Sequence, residues 1–437
     1  MTRPVLFGPL PAPATPRPGT RFSGWRIVAF AAIALGATGP GQTPGVSVFV
    51  DPMIAALDLT RSQVSAAYLV GTLGGALAMP RVGRLIDDRG ARVAMAVVGG
   101  LFALVLAAMA GVTGLVTLTI GFVGIRMLGQ GGLSLVATTS VAPWFDRRRG
   151  LAIGVTTAVG SGIIALVPVA SEALIGQVGW RTTWLLLATA VAVVVLPIAL
   201  RGLIDDPLDV GQRADGAPEP DPDGPTPVPP VSFTRAQALR TPMFWAIAAG
   251  VAATGMIGTG LAFHQIDLLG EQGLTPAQAA GNFIPQTLAA LTTTIAVGSL
   301  IDRLAPRWVL LGSMGLLAGA MLAVPYVSPG WAAIAYGVTV GAAGSSARAL
   351  EAASFPRMFG LASIGRIRGV VTSISVASTA FGPLALSLGY DLAGSYREVL
   401  LVLLVIPAAV AVMGLVAPVP TVPPETARDR GGAGPMR

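Results

Sequence analysis

The chain has 437 residues, 53% of them hydrophobic and only 11% charged, with a mean hydropathy of +0.73. A soluble domain carries roughly a quarter charged residues to cover its surface, so a soluble globular fold is excluded, and the absence of cysteine excludes disulfides and thiolate metal sites. The net charge of +7 comes from arginine, with no lysine present. Nearly all of it sits in short connections between apolar runs, which is charge that orients a membrane protein rather than a nucleic-acid surface.

In chain order, residues 1–24 are Pro-rich, carry Arg3, Arg17 and Arg21, and read as a cytoplasmic tail. The apolar run that follows is too long for a secretory signal and ends without an A-x-A cleavage site. The first half then offers apolar runs at Trp25–Val50, Ser62–Pro80, Val93–Ala110, Leu115–Ala137, Leu151–Ala173 and Thr182–Leu200. Each is close to the ~20 residues that cross a bilayer core as a helix. Residues 201–241 are polar and contain Pro-Glu-Pro-Asp-Pro-Asp-Gly-Pro-Thr-Pro-Val-Pro-Pro at 218–230, a semi-extended linker that cannot bury a core. The second half gives Phe244–Leu269, Ala279–Leu300, Val309–Tyr326, Trp331–Ala352, Val370–Tyr390 and Val399–Val416, before a tail at 418–437. The predicted class is an all-α membrane protein with twelve transmembrane helices in two six-helix bundles, 25–200 and 242–417.

Arginine placement predicts the orientation. Alternate loops hold Arg81, Arg84, Arg89 and Arg92, then Arg147, Arg148 and Arg149, then Arg303 and Arg307, then Arg357, Arg366 and Arg368. The opposite side has only Arg61, Arg181 and Arg397. The positive-inside rule therefore predicts that both termini and the linker are cytoplasmic. The halves also repeat. Gly83-Arg84-Leu85-Ile86-Asp87 through Arg92 recurs 215 residues later as Gly298-Ser299-Leu300-Ile301-Asp302 through Arg307. Trp144-Phe145 answers to Met358-Phe359, and Gly179-Trp180-Arg181 to Gly394 with Tyr396-Arg397. Six spans per half give the two repeats one topology, related by an axis along the membrane normal.

With these motifs the chain resembles the major facilitator superfamily over its whole length. The repeated G-x-L-x-D-x-x-x-x-R matches that superfamily's signature loop. In it Gly83 and Gly298 are expected to permit a tight turn, and Asp87 and Asp302 to face the positive end of the next helix. Arg92 and Arg307 would pair with acids or helix ends, so that these loops, with Glu351, act as a gate or latch. Trp144 to Gly154 is similar to the start of span 5 in the monocarboxylate porter and oxalate:formate branches. The chain departs from those branches in having no charge in Ala279–Ser299 and no lysine in span 1. Arg126-Met127-Leu128-Gly129-Gln130-Gly131-Gly132 resembles the span-4 motif of drug:proton antiporters, whereas Gly154–Gly162 has Ser161 where their span-5 motif has proline.

Charged and polar groups inside the hydrocarbon are costly and are commonly functional. Arg126 falls about 18 Å down span 4 at 1.5 Å per residue, and its planar fork suits a carboxylate or similar oxyanion. His264, the single histidine, lies in span 7 among Gly255, Gly258 and Gly260. It could hydrogen-bond a substrate or carry a proton, or be held by Asp267. Gln42 lies in Pro40-Gly41-Gln42-Thr43-Pro44, where span 1 must kink, and Gln130 follows Arg126 by four residues. Arg348 and Glu351, spaced i, i+3, are expected to pair on one face of span 10. The resemblance implies that spans 1, 4, 7 and 10 line the cavity, and Gln42, Arg126, His264 and Arg348 fall one on each.

The expected function is secondary active transport of a small polar metabolite by alternating access across the cell membrane. An organic anion such as a monocarboxylate is favoured and proton coupling is left open. Arg126, His264, Gln42, Gln130 and Arg348 would bind the substrate. The alternative is proton-coupled efflux of amphipathic compounds. No cofactor or metal is expected, no nucleic-acid partner and no catalysis, since H-E-x-x-H and Walker motifs are absent. The protein is expected to work as a monomer in the bilayer.

Overall fold

The computed structural model describes residues 22–214, 233–301, 303–360 and 363–420. Residues 1–21 and 421–437 of the predicted tails, the Pro-rich centre of the linker and Asp302 lie outside the described residues.

Every regular element among the described residues is a helix. The first pass is broken into α1 (Gly24–Gly36) and α2 (Thr43–Leu57). Pro40 and Pro44 cannot donate to the helical ladder, so Gly39–Gly41 tightens to a 3-10 turn and Gln42 is extended, at φ −82° and ψ 156°. α3 (Arg61–Met109) carries passes two and three. α4 (Leu115–Ile125), a π-helical stretch Arg126–Leu133 and α5 (Ser134–Thr139) form the fourth, and α6 (Arg149–Pro197) the fifth and sixth. After a short α7 (Arg235–Leu239), α8 (Pro242–Phe263) and α9 (Gln265–Gly270) make the seventh. α10 (Pro276–Gly281) and α11 (Phe283–Leu300) make the eighth, followed by α12 (Pro306–Ala323), α13 (Trp331–Phe359) and α14 (Ile364–Ala393). α15 (Tyr396–Leu403) and α16 (Val405–Val416) end the chain of helices.

Among the described residues, eight helical stretches are long and apolar enough to cross a membrane. Two of these, α3 and α6, are each a pair of helices joined at one non-helical residue, Gly90 (φ 83°, ψ 163°) and Gly179 (φ 78°, ψ 159°). With the broken first pass and the arginine-bearing α13, the described residues trace twelve passes. The repeat is visible in the backbone. α4 and α13 begin 216 residues apart, at Leu115 and Trp331, and Gly179 and Gly394 both take positive φ.

The chain forms two compact units. The described residues of Met1–Asp58 and Gly74–Gly224 make one, and those of Leu59–Leu73 and Pro225–Arg437 the other. In the first, Phe49 stacks on Trp184 with centroids 3.9 Å apart, and both are fully buried. In the second, Phe244, Phe355 and Phe359 form a buried aromatic cluster. Apolar side chains such as Leu104, Val193, Ile295 and Val402 stay exposed, as lipid-facing side chains do. Within the second unit 67% of the Pro242–Phe263 window is buried against 28% for Tyr396–Val416, so pass seven is central there and pass twelve peripheral.

Two expectations about the signature loops are corrected. Gly83 is not the turn: α3 runs helically through it, and the chain leaves the helix only at Gly90. Gly298 likewise lies inside α11. The polar, arginine-bearing ends extend these helices past the hydrocarbon instead of looping out. Passes ten and eleven do the same, since α13 continues to Phe359 and α14 begins at Ile364.

Candidate substrate site

In the first unit, the break in pass one and the π-helical stretch of pass four face each other. Close approach is possible because both contact points are glycines. A Cβ on Gly41 would stand 2.7 Å from the Ile125 carbonyl oxygen, and one on Gly129 would stand 3.3 Å from the Gly41 Cα. Arg126, 3% exposed, starts the π stretch. Its Nη1 donates to the Gly41 carbonyl at 3.3 Å and to Thr43 Oγ1 at 3.5 Å. Gln42, half-buried at the start of α2, donates from Nε2 to Thr38 Oγ1 at 3.0 Å and to Ser134 Oγ at 3.5 Å. Gln130 is half-buried on the same π stretch. Thus Arg126 and Gln42 meet where the broken helix of pass one faces the π segment of pass four, with Gln130 four residues along that segment from Arg126. Such π segments are frequent at functional positions. Thr43 and Ser134 belong to this cluster but were not anticipated, since single hydroxyls in apolar runs carry little signal.

His264 lies in the second unit and is 1% exposed, at the junction of α8 and α9. Its Nε2 donates to the Pro383 carbonyl at 2.9 Å, while Nδ1 is buried without a hydrogen-bond partner. Asp267 does not hold it. The helix is interrupted at His264 (φ −93°, ψ 7°), and Asp267 instead pairs with Arg61 at 3.0 Å and accepts from Tyr396 Oη at 2.7 Å. A Cβ on Gly260 would meet the Gly382 carbonyl at 2.9 Å, so Gly260 serves tight packing of α8 on α14. Arg61, Ser62, Asp267, Tyr396 and Asp391 form a polar cluster that holds Leu59–Leu73 in the second unit.

The expected Arg348–Glu351 pair is not formed. Glu351, 7% exposed, accepts a two-pronged contact from Arg368 on α14, Nε to Oε1 at 2.8 Å and Nη2 to Oε2 at 3.2 Å. Arg348 is exposed and donates from Nη2 to Ser375 Oγ at 3.2 Å. The facing helix offers Glu351 a guanidinium in the fork geometry that matches a carboxylate, which a neighbour on its own helix cannot present as well. Elsewhere in the second unit, Gln265, Asn282 and Gln286 form a buried chain. Gln286 Nε2 donates to Gln265 Oε1 at 2.7 Å and to Asn282 Oδ1 at 3.1 Å, and Asn282 Nδ2 to the Ala333 carbonyl at 2.6 Å. The i, i+4 spacing of Asn282 and Gln286 in an apolar helix was the readable signal for it.

The loop residues have separate roles. Asp87 is exposed at the end of the pass-two helix, and the carboxylate facing the start of pass three is that of Asp205. It accepts from the backbone N–H of Arg92 at 2.8 Å and from that of Ala91. Burial pushes the Asp205 carboxyl above the usual range, and these N–H groups draw it part of the way back. The Arg92 guanidinium donates to the Leu200 carbonyl, and with the backbone N–H of Arg92 on Asp205 this ties the start of pass three to the end of pass six and the segment after it. Arg307 is exposed with its guanidinium 5.5 Å from the centroid of the Trp308 ring. Trp144 and Phe145 are fully buried. Phe145 packs on Phe22 and Trp25, and Trp144 Nε1 donates to the Ile204 carbonyl at 3.1 Å. In the second half Phe359 packs on Phe233, which donates its N–H to the Phe359 carbonyl at 2.8 Å.

A twelve-pass, two-fold repeated helical chain with polar groups at helix breaks is the architecture of a multi-pass membrane transporter. The profile of the Major Facilitator Superfamily matches residues 27–284, more than half of the sequence, and the chain belongs to that superfamily. Solved structures share the fold, two of them with high similarity. Both are of a bacterial homologue of the human lysosomal transporter Spinster, one inward-facing and unoccupied, the other inward-facing and occupied. The first is 17% identical with a TM-score of 0.70 and the second 14% with 0.69, each match covering 91% of this chain and 97% of the other. Comparison with curated proteins returned no match.

Proposed function

We propose that this superfamily member is a secondary active transporter of a small organic anion, a monocarboxylate in first place. In this reading the substrate carboxylate is recognised at Arg126, with Gln42 and Gln130 beside it. One observation carries it: a buried guanidinium lies against the opened backbone of pass one. An arginine in the hydrocarbon region is costly to keep. Beside its contacts to the Gly41 carbonyl and Thr43 Oγ1, its planar fork suits a charge-assisted pair with a carboxylate. Within the second unit, Arg348 beside Ser375 is a further candidate anion-binding cation, and His264 Nδ1, buried with a free lone pair, is the place for a coupled proton. Movement follows by alternating access of the bundles 25–200 and 242–417, joined by the 201–241 linker. The repeated signature segments that carry Gly83, Asp87 and Arg92 and Gly298, Asp302 and Arg307, with Glu351, work as the gate. The chain acts as a monomer in the cell membrane with both termini cytoplasmic, as the arginine distribution supports.

The test is thermal unfolding of the purified chain against organic acids, sugars and organic cations at several pH values. A ligand that binds only the folded state raises the transition, by about 2.7 kcal/mol at one hundred times its Kd. The expected result is a shift with carboxylates that Arg126→Ala abolishes. An equal shift in both proteins would sink the anion reading. The span-4 motif around Arg126 favours a second reading, proton-coupled efflux of amphipathic compounds, which requires shifts with lipophilic cations instead.

A further inference from the structure

Among the described residues, three arginines mark the arginine-poor end of the chain, and they are used differently. Arg61 is paired with Asp267. Arg181 donates from Nη1 to the carbonyls of Ala110 and Val112, at 2.6 Å and 2.9 Å, and so fastens the start of pass six to the end of pass three. Arg397 stands 216 residues later, at the repeat position of Arg181. The backbone carbonyls it would need belong to the counterpart segment near Tyr326, which runs through a 3-10 turn containing Pro325. Its guanidinium makes no hydrogen bond or ion pair among the described residues.

Arg397 instead rims a groove of about 270 Å³ between α12 and the α15–α16 pass. Leu322, Leu401 and Leu404 wall it and Tyr326 stands at its mouth. Tyr326 is 78% exposed and Trp331, a few residues on, 84%. Exposed Tyr and Trp at a helix end mark headgroup depth. The groove therefore has a cation at headgroup level and leucines below it at acyl-chain level. Leu322 and Leu401 are exposed along the pass-nine and pass-twelve surfaces, and Glu398, next to Arg397, is not part of the lining.

We propose that this groove is a binding site for an anionic phospholipid of the adjoining leaflet, its phosphate on Arg397 and an acyl chain along Leu401 and Leu404. The shape of the charge decides the occupant. A soluble anion would leave the leucine walls without a partner, and an apolar helix would bury the guanidinium without a counter-charge. Only an amphipathic anion satisfies both levels. At the repeat position in the first half, Arg181 is instead used in fastening its own helices.

The test is native mass spectrometry of the delipidated full chain titrated with phosphatidylglycerol, with diacylglycerol of the same chains and inorganic phosphate as separate arms. Phosphatidylglycerol should bind best, and Arg397→Ala should weaken it about fivefold, the loss expected for one arginine at a lipid headgroup. Leu404→Trp, which fills the groove and keeps the cation, should weaken it as well. Since Arg397 fastens nothing, Arg397→Ala should melt with the wild type. Should it melt early, Arg397→Gln must show the same loss of lipid. Unchanged phosphatidylglycerol affinity in the Arg397 variants or in Leu404→Trp overturns the proposal, as does diacylglycerol or free phosphate binding equally well.

Discussion

Gly90 and Gly83 belong to the same ten-residue motif, yet they make opposite demands. Gly90 takes positive φ, and a Cβ there would lie 2.3 Å from Asp205 Oδ2. Gly90→Ala should therefore destabilise the protein by more than about 1 kcal/mol, since strain adds to the clash. Gly83 is helical with open space around it, so Gly83→Ala should be neutral or raise the melting point, by at most about 1 kcal/mol of helix propensity. Thermal melts of the two variants in one detergent check both; a larger loss in Gly83→Ala would restore the turn to that residue. Asp205 adds a pH dependence at the same spot. Its folded pKa is raised by burial, so its protonated form is favoured in the folded state. The associated stability is full below the unfolded value, about 4, and is lost as pH rises through the folded value. The wild type should lose stability relative to Asp205→Asn as pH climbs from about 4. Melting curves that run parallel at all pH values would contradict this.

At the scale of elements, the structure joins helices through pairs that sequence spacing does not reveal. Glu351 and Arg368 couple α13 to α14, with Glu351 nearly buried and Arg368 half-exposed. Arg368→Ala leaves a buried carboxylate with its fork partner removed and should cost about 1–3 kcal/mol, whereas Arg348→Ala, which loses one 3.2 Å bond to Ser375, should cost less. Chemical denaturation would reverse this account if Arg348→Ala were the more damaging. The contrast also shows what was legible beforehand. Apolar runs and arginine placement located every pass because the bilayer imposes its length on each separately. The i, i+3 spacing of Arg348 and Glu351 suggested a pair because helical neighbours are all that a single sequence displays. Arg368, Asp205 and Arg61 are distant in sequence from Glu351, Arg92 and Asp267, and only packing brings them together. The kink at Pro40–Pro44 was readable, since proline acts on its own backbone. The π stretch after Arg126 was not, since it depends on how pass four meets pass one.

For the whole molecule, the repeat explains more than the count of helices. The aromatic clasp of Phe145 on Phe22 and of Phe359 on Phe233 recurs in each half, as do the glycines at 179 and 394. Where the halves part company, specialisation begins. The first half places Arg126 at a broken helix, while the second places His264 at one, held by the Pro383 carbonyl. In the proposed reading, the first bundle recognises charge and the second carries the proton. The central claim is that Arg126 recognises the anion, and counterflow of labelled monocarboxylates in proteoliposomes tests it most directly. Arg126→Gln should raise the half-saturating concentration at least about tenfold, the value of one charge-assisted contact of about 1.5–3 kcal/mol, while the protein stays folded and inserted. Uptake by Arg126→Gln with the wild-type half-saturating concentration would contradict the claim.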